Sequence, residues 1–528
     1  MNCNEDNQQE SDRFFKEFND QLQKETNETG IFLPAMIKNR TTLKPTFKDA
    51  IPQIIASCII HCIVIQGGIN MAYSTVLNNG LQKAEGKLRI SKDQESWIAS
   101  LVTISLPIGS LLTGPLMDKF GRKSICLLTC IPASISWILI LLSNSISTIY
   151  AGRVIAGASA GLSTVGLVYV SEITHPQLRA MLLCLNSVFV SLGILITCCL
   201  AVWLRWDTMA AVFLVLNCCV FLALFIVPES PYWLMCFSNG MLNENSTGRA
   251  EKSLKWLNRR EIIYEQEYAR IKEISSTRVM NAESSKTLLQ SINLFYKELM
   301  LPTVYKPMCI LFFLLLLQQL SGAYVVIFYA ISVFKEIGGT FGAGLDAYGA
   351  LVMLGVIRFI MSILTAYFSK RYGRRVLCIS SGLGMTFSMF FSAMYMYLTS
   401  SCDENGTVKQ TMANQKWLLL VIVLFYVCTS SLGFVVIPWT LIGELLPISV
   451  RGTGSGLMVS LAYIMMFGVI KSYPYAIEGM GGQGIFFFFS FTSLLGTSFV
   501  YFFLPETLGR TFTEIEQYFT TNRKTRSC

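Results

Sequence analysis

The sequence predicts an all-α polytopic membrane protein of twelve transmembrane helices, built as two parallel six-helix repeats. Three observations carry that expectation. Of the 528 residues, 52% are hydrophobic and only 14% charged, against roughly 25% charged in soluble domains, and the mean hydropathy is +0.50. Apolar stretches of about 20 residues, the length that crosses a bilayer as a helix, follow one another along the chain. The short polar segments between them then recur, in the same order, in the second half.

Residues 1–50, from "MNCNEDNQQESDRFFKEF" onward, are polar and charged. They lack the basic start and apolar centre of a signal peptide and are expected to form a cytoplasmic tail. The N-terminal bundle, 51–228, holds apolar runs near 51–74, 97–117, 124–143, 148–171, 180–204 and 209–228. A polar linker, 229–306, follows, in which "RAEKSLKWLNRRE" puts Ala250, Leu254 and Leu257 on one stripe at helical spacing. Short amphipathic surface helices are expected there. The C-terminal bundle, 307–504, holds runs near 307–334, 345–368, 376–399, 416–442, 452–475 and 483–504, and a polar tail, 505–528, closes the chain.

Lysine and arginine concentrate in "DKFGRK" (118–123), "KRYGRR" (370–375) and the C-terminal "NRKTRSC". The positive-inside rule places these segments, both termini and the linker on the cytoplasmic side of the plasma membrane. Residues 80–96 are the exception, mixing lysines and arginines with acids. The loops and tails account for the net charge of +9, so no nucleic-acid partner is expected. The 16 cysteines lie mostly singly or as vicinal pairs in apolar runs, without a C-x-x-C pair. They read as small hydrophobes. With only His61 and His175, and no grouping of nucleophile, base and orienting residue, no metal, cofactor or enzyme chemistry is expected. The expected partners are the lipid bilayer and a small molecule, with no obligate protein partner evident.

Three motif pairs define the repeat. "GPLMDKFGRK" follows the second run and "AYFSKRYGRR" the eighth. Glu172 and Arg179 follow the fourth run, and Glu444 and Arg451 follow the tenth at the same spacing. "PESPYW" closes the sixth and "PETLGR" the twelfth. Six helices return the chain to one side, so the halves are parallel repeats about an axis along the membrane normal. Charges beside spanning segments are costly unless answered. We therefore expect Asp118, Arg122, Arg153, Glu172, Arg179 and Glu229, with Arg374, Arg375, Glu444, Arg451 and Glu506, to form a network. It would clamp the halves together on the inside and release them as they rock apart. Exposed pairs of roughly 0–1 kcal/mol each suit a breakable latch; ordinary interfacial anchoring is the alternative.

Polar residues stranded in apolar runs mark a pathway. Gln318 and Gln319, in "LLLLQQLSG", lie mid-span, where an amide needs a partner. Gly322 shares a face with Gln318 and admits close approach. Trp439 follows Pro438, which removes a helical hydrogen bond, and offers an indole face to a ring. Arg358 lies near the centre of the eighth run, where an arginine costs roughly 2.5–3.5 kcal/mol on insertion scales. It is expected to face the bundle interior, offering donors and no acceptor. Each has a structural alternative: interhelical hydrogen bonds for the glutamines, packing for Trp439, and backbone carbonyls around Arg358.

The ordered set G-x-x-x-D-x-x-G-R-K, R-x-x-x-G-x-x-x-G (Arg153, Gly157, Gly161), Y-V-S-E, P-E-S-P, Q-Q-L-S-G, P-W-x-x-x-G-E and P-E-T-x-G-R resembles the sugar-porter family of the major facilitator superfamily, over nearly all of 51–515. "SLGFVVIPWTLIGELLPISVRG" looks most like the insect facilitated trehalose transporter branch. The resemblance implies a major facilitator fold and transport of a sugar, hexose or disaccharide, by alternating access. It also implies that Gln318 and Gln319 contact sugar hydroxyls and that Trp439 stacks on the ring. The sequence departs from the family at Tyr324 and Arg358, where glucose carriers have asparagines, at Ser187, and near Ala462 and Met466. Tyr324 and Arg358 join the expected substrate site, as does Asn70. Lys370 replaces the usual acid of the second basic loop.

Family symporters carry an aspartate in the first span, whereas this sequence offers Asn70 and no acid there. This favours facilitative uniport over a proton-coupled symporter. A non-transporting sensor is the third reading, and the short tail after Pro505 speaks against it.

The orientation makes a topological prediction. Asn405, in the N-x-T sequon of "CDENGTVKQ", is expected to accept a glycan, and Asn245 in "NENST" is not, despite its sequon. Glycopeptide mapping checks both; a glycan on Asn245 would invert the orientation.

Overall fold

The computed structural model describes residues 47–83, 88–236, 244–282, 300–336, 346–369, 371–399, 416–447, 451–508 and 512–520. Asn405 lies outside them, as do nearly all of the N-terminal tail, 283–299 of the linker and the end of the C-terminal tail. The described chain from Phe47 onward forms one unit. Among the described residues, 11 helices are long and apolar enough to span a bilayer. The last, Arg451–Phe503, contains Gly481 at φ 70° and ψ 166° and is two helices joined through one residue, which brings the spans to twelve.

In the first half α1 is Phe47–Gln82, α2 Lys92–Phe120, α3 Arg122–Leu141, α4 Ile146–Ile173, α5 Pro176–Leu200 and α6 Trp206–Ile226. In the second half α7 is Pro302–Leu320, α8 Ala347–Phe368, α9 Arg374–Thr399 and α10 Trp417–Leu445. The last two are α11 (451–480) and α12 (482–503). Faces carrying Leu111, Leu112, Phe387, Phe391 and Phe502 are exposed, as lipid-facing helix surfaces are.

Local chemistry sets the ends. Ser91 and Gln94 form a reciprocal capping box that starts α2, and Asp346 caps α8 by accepting from the Gly349 N–H at 2.9 Å. α1 continues to Gln82 rather than ending near 74, because Tyr73, Leu77 and Leu81 keep one face apolar and are all fully buried. The expected loop at 476–482 is absent, since α11 runs to 480 and α12 begins at 482.

Three spans are broken where the sequence suggested continuous helices. α4 is interrupted at Ser163–Thr164, and α10, its counterpart in the repeat, between Leu432 and Ile437. α7 stops at Leu320, turns, and resumes as the short helices Val325–Phe328 and Ala330–Glu336. The cause of the α7 break is Gly322, whose φ of 86° favours glycine. The close approach at Gly322 is made by the Phe489 ring of α12, 2.5 Å from where a Cβ would sit.

Small residues let the first-half helices touch. Side chains at Gly157 and Gly161 of α4 would strike the α2 backbone at Val102 and Leu106, the close packing that small residues permit in membranes. Tyr73, Trp137 and Phe213 knit α1, α3 and α6, with ring centroids 5.1–5.9 Å apart. The linker helices Glu244–Leu257 and Glu261–Ala282 bury Ala250, Leu254 and Ile271 against Leu234 and Met235. Gln53 of α1 ties them to the bundle by donating to Asn258 Oδ1 and accepting from the His175 N–H, both at 2.9 Å.

Gly322→Ala is expected to lower the stability of the detergent-solubilised protein by about 1–3 kcal/mol. Gly443→Ala, in a helical position with nothing within 4 Å of the added Cβ, is expected to be neutral or stabilising. Thermal melts of the two variants check this; equal melting points would remove the role assigned to Gly322.

Candidate functional site

Two charge clusters occupy one end of the bundle, and they are built alike. In the first half Gly121, at φ 97°, turns the chain from α2 into α3. The Glu229 carboxylate then accepts the backbone N–H groups of Arg122, Lys123 and Ser230, each at 2.9 Å. An anion there satisfies the free N–H groups at the start of α3 and complements its dipole. The Arg122 guanidinium pairs with Glu172 at 2.9 Å and with Asp118 at 3.3 Å, and donates to Met117 O at 3.0 Å. Ser230 Oγ donates to the second Glu172 oxygen at 2.5 Å.

The second half repeats this. Gly373 has a φ of 79°, and Glu506 accepts the N–H groups of Arg374 and Arg375 at 2.9 and 3.1 Å. Arg374 pairs with Glu444 at 2.9 Å and donates to Ser369 O at 2.7 Å, while Thr507 Oγ1 donates to Glu444 at 2.7 Å. A Cβ on either glycine would meet the capping carboxylate, at 2.6 Å from Glu229 and 2.5 Å from Glu506. That contact is why both basic loops contain glycine. Arg375 donates to Tyr501 O at 2.5 Å, and Lys123 matches it by donating to Phe225 O at 3.0 Å.

In this structure the two described clusters make no ion pair with each other. Each described cluster closes within its own half, because the basic loop of a half lies directly against the acids of that same half. Glu172 does not pair with Arg179. The chain turns at Thr174–His175, and Arg179 instead donates to Thr174 O at 3.3 Å, within electrostatic reach of Arg270 and Glu267. The Arg451 side chain lies outside the described residues. Arg153 is not part of the network. It lies two turns into α4 from the opposite end and is fully buried, bonded to Ile98 O at 3.1 Å, Asn70 Oδ1 at 3.3 Å, Asn70 O at 3.2 Å and Ser74 Oγ.

Polar contacts between the halves gather at that opposite, far end. Asp93 of α2 accepts from Lys471 Nζ and Tyr475 OH of α11, both at 2.7 Å. Lys92 pairs with Glu478 at 2.8 Å, and Lys471 lies 4.2 Å over the Trp97 ring. Asn79 of α1 donates to Tyr348 OH at 2.6 Å and accepts from Lys335. Thr75 Oγ1 accepts the Ile331 N–H at 3.0 Å. Sequence reasoning did not foresee this seam, although its signal was present in the mixed charges of 80–96 and in Glu478.

Between the two ends the remaining expected site residues collect around the helix breaks. Gln318 Nε2 donates to the Phe434 and Val435 carbonyls, at 2.8 and 2.9 Å, which the break in α10 leaves free. Its Oε1 is buried without a partner. Gln319 is 1% exposed and neither polar atom of its amide has a partner. Tyr324 OH accepts from Trp439 Nε1 at 2.8 Å, and the indole lies 5.2 Å from the Tyr463 ring at 40°. Arg358 is buried, within electrostatic reach of Tyr324 and Tyr426. Asn70 is held by Arg153 and by Gln66 O, its Nδ2 donating at 2.9 Å, so it belongs to the first-half core.

Comparison with known proteins agrees with this architecture. The family described as "Sugar (and other) transporter" matches residues 53–519. The facilitated trehalose transporter Tret1 of Bombyx mori is 30% identical over 438 residues, covering 83% of this chain and 81% of that protein. Tret1 of Apis mellifera ligustica is 28% identical over 471 residues, covering 88% of each. Among solved structures, the proton:xylose symporter XylE bound to 6-bromo-6-deoxy-D-glucose aligns with a TM-score of 0.69 at 19% identity, over 89% of this chain and 100% of that one. The partially occluded inward-open XylE from E. coli aligns at 0.67 and 20% identity, over 87% and 99%. With its twelve spans, its repeated clusters and this match, the chain is a multi-pass membrane transporter of the major facilitator fold and belongs to the sugar transporter family.

Proposed function

We propose that this chain is a facilitative carrier of a sugar, a disaccharide such as trehalose or a hexose, working by alternating access in the plasma membrane. Its termini and basic loops face the cytoplasm in this reading. The observation that carries it is Gln319, an amide buried at the α7 break with neither polar atom partnered. Such a group is costly unless a ligand satisfies it. Gln318 Oε1 is in the same position, and the Tyr324–Trp439–Tyr463 group offers an aromatic wall. The similarity to facilitated trehalose transporters supports the substrate class.

Uniport is favoured over proton coupling by Asn70. The buried Arg153 is met there by an amide and carbonyls rather than a carboxylate, so no acid beside it can exchange a proton with substrate binding. Purified chain in proteoliposomes is expected to take up labelled trehalose or glucose down its gradient, unaffected by a protonophore. Gln319→Ala is expected to reduce uptake roughly tenfold. Absence of sugar uptake would sink the carrier reading, and lumenal pH change matched to sugar would sink uniport.

Alternating access assigns the far-end seam the part of an outer gate, closed here. The Lys92–Glu478 pair and Asp93 are largely exposed, at 61–65% for these side chains, so each pair contributes about 0–1 kcal/mol. Asp93→Asn with Lys471→Gln is expected to raise the far-end-open population up to about fivefold. Spin-label distances between the α1–α2 and α11–α12 connections read this directly, and an unchanged distribution removes the gate.

A further inference from the structure

Arg358 stands at the midpoint of α8 on the face turned to the other half. One turn before it, the position of a Cβ on Gly355 lies 3.2 Å from Leu195 and Cys198 of α5. One turn after it, Ser362 Oγ shares a 2.5 Å hydrogen bond with Ser191 of α5. Arg358 thus lies between two points where the halves touch. It is 6% exposed, and its Nε is buried without a partner.

The two other buried arginines among the described residues are answered: Arg122 has Glu172, and Arg153 has the Asn70 amide oxygen and three further oxygens. Half-buried Arg374 has Glu444. Among the described residues, the ionisable groups that reach Arg358 are the Tyr324 and Tyr426 phenols and the Cys198 thiol, groups that carry no negative charge at neutral pH by their ordinary values. Tyr426 OH is committed to Ser321 O at 2.7 Å. Tyr324 OH accepts from the Trp439 indole at 2.8 Å, which leaves its own proton to donate. The region therefore combines an unanswered cation with a free hydroxyl donor, where a buried charge costs several kcal/mol until a counter-charge arrives.

We propose that this region is an anion subsite of the sugar path, and that the carrier's preferred ligands include a sugar acid. A hexuronate would place its carboxylate on the Arg358 guanidinium, assisted by Tyr324 OH, and its hydroxyls on the unpartnered oxygens of Gln318 and Gln319. An Arg–carboxylate pair with two parallel hydrogen bonds is the geometry a guanidinium favours. The subsite rests on the reading that the sugar passes between the halves at the α7 break.

The test is ligand-induced thermal stabilisation of the purified full chain, which requires no transport and so stands apart from the uptake assay. D-Glucuronate is compared with D-glucuronamide, its neutral isostere. The expected result is half-saturation by the acid at least about tenfold lower than by the amide. Arg358→Gln weakens both ligands and brings the two within about twofold, while Arg358→Lys, which keeps the charge, retains part of the preference. Wild-type protein stabilised no better by acid than by amide would overturn the subsite, as would a preference that survives in Arg358→Gln. Should Arg358→Gln fail to fold, the wild-type comparison alone decides. Sugar uptake without an acid preference leaves the carrier reading standing and removes only this one.

Discussion

Inside a bilayer no water is at hand to answer a backbone carbonyl or an amide, and this constraint governs the molecule. Nine spans meet it as unbroken helices, although prolines such as Pro107, Pro115, Pro132 and Pro474 each leave one carbonyl without its helical donor. The other three, α4, α7 and α10, are interrupted, and each interruption frees groups that something else must satisfy. The α10 break hands the Phe434 and Val435 carbonyls to Gln318. The α7 break gives Ser321 O to Tyr426. What is left over after these pairings is a short set of polar atoms, and it coincides with the best candidate for a substrate site.

Much of this was legible in the sequence, because the controlling features are local and repeated. The basic loops, the acids at the ends of α4 and α10, and the proline–glutamate corners recur in order, which is enough to give twelve spans and two halves. Glu229 and Glu506 could be placed near the basic loops from spacing alone. Their use as helix caps was not visible, since it depends on a turn at Gly121 and Gly373 that brings backbone N–H groups onto a carboxylate far along the chain. Side-chain pairing was the weak point. Glu172 and Arg179 lie close in sequence, yet a turn at Thr174–His175 separates them, and Arg122 from a distant loop takes the acid. Arg153 was grouped with the end charges although the fourth run, 148–171, already sets it at the end opposite Glu172, and there α4 buries it among oxygens of α1 and α2.

The two halves share a plan but use their polar residues differently. The first fills its centre with a closed arrangement in which Arg153 holds Asn70 and Gln66 receives the Trp137 indole N–H at 2.9 Å. Little there remains unanswered apart from isolated atoms such as His61 Nδ1 and Gln66 Nε2. The second leaves whole functional groups open, in Gln319 and Arg358. The unpartnered groups that the proposed site calls on therefore belong to the second half.

Gly481 gives the fold a mechanical property. α11 and α12 meet through a single residue, with no loop between them, so the two helix ends stay adjacent whatever angle the glycine adopts. Lys471, Tyr475 and Glu478 sit on one arm, at the seam between the halves, and Phe489 sits on the other, pressed onto Gly322 where α7 turns. The seam and the α7 turn are thus linked through one helix pair and its one-residue joint.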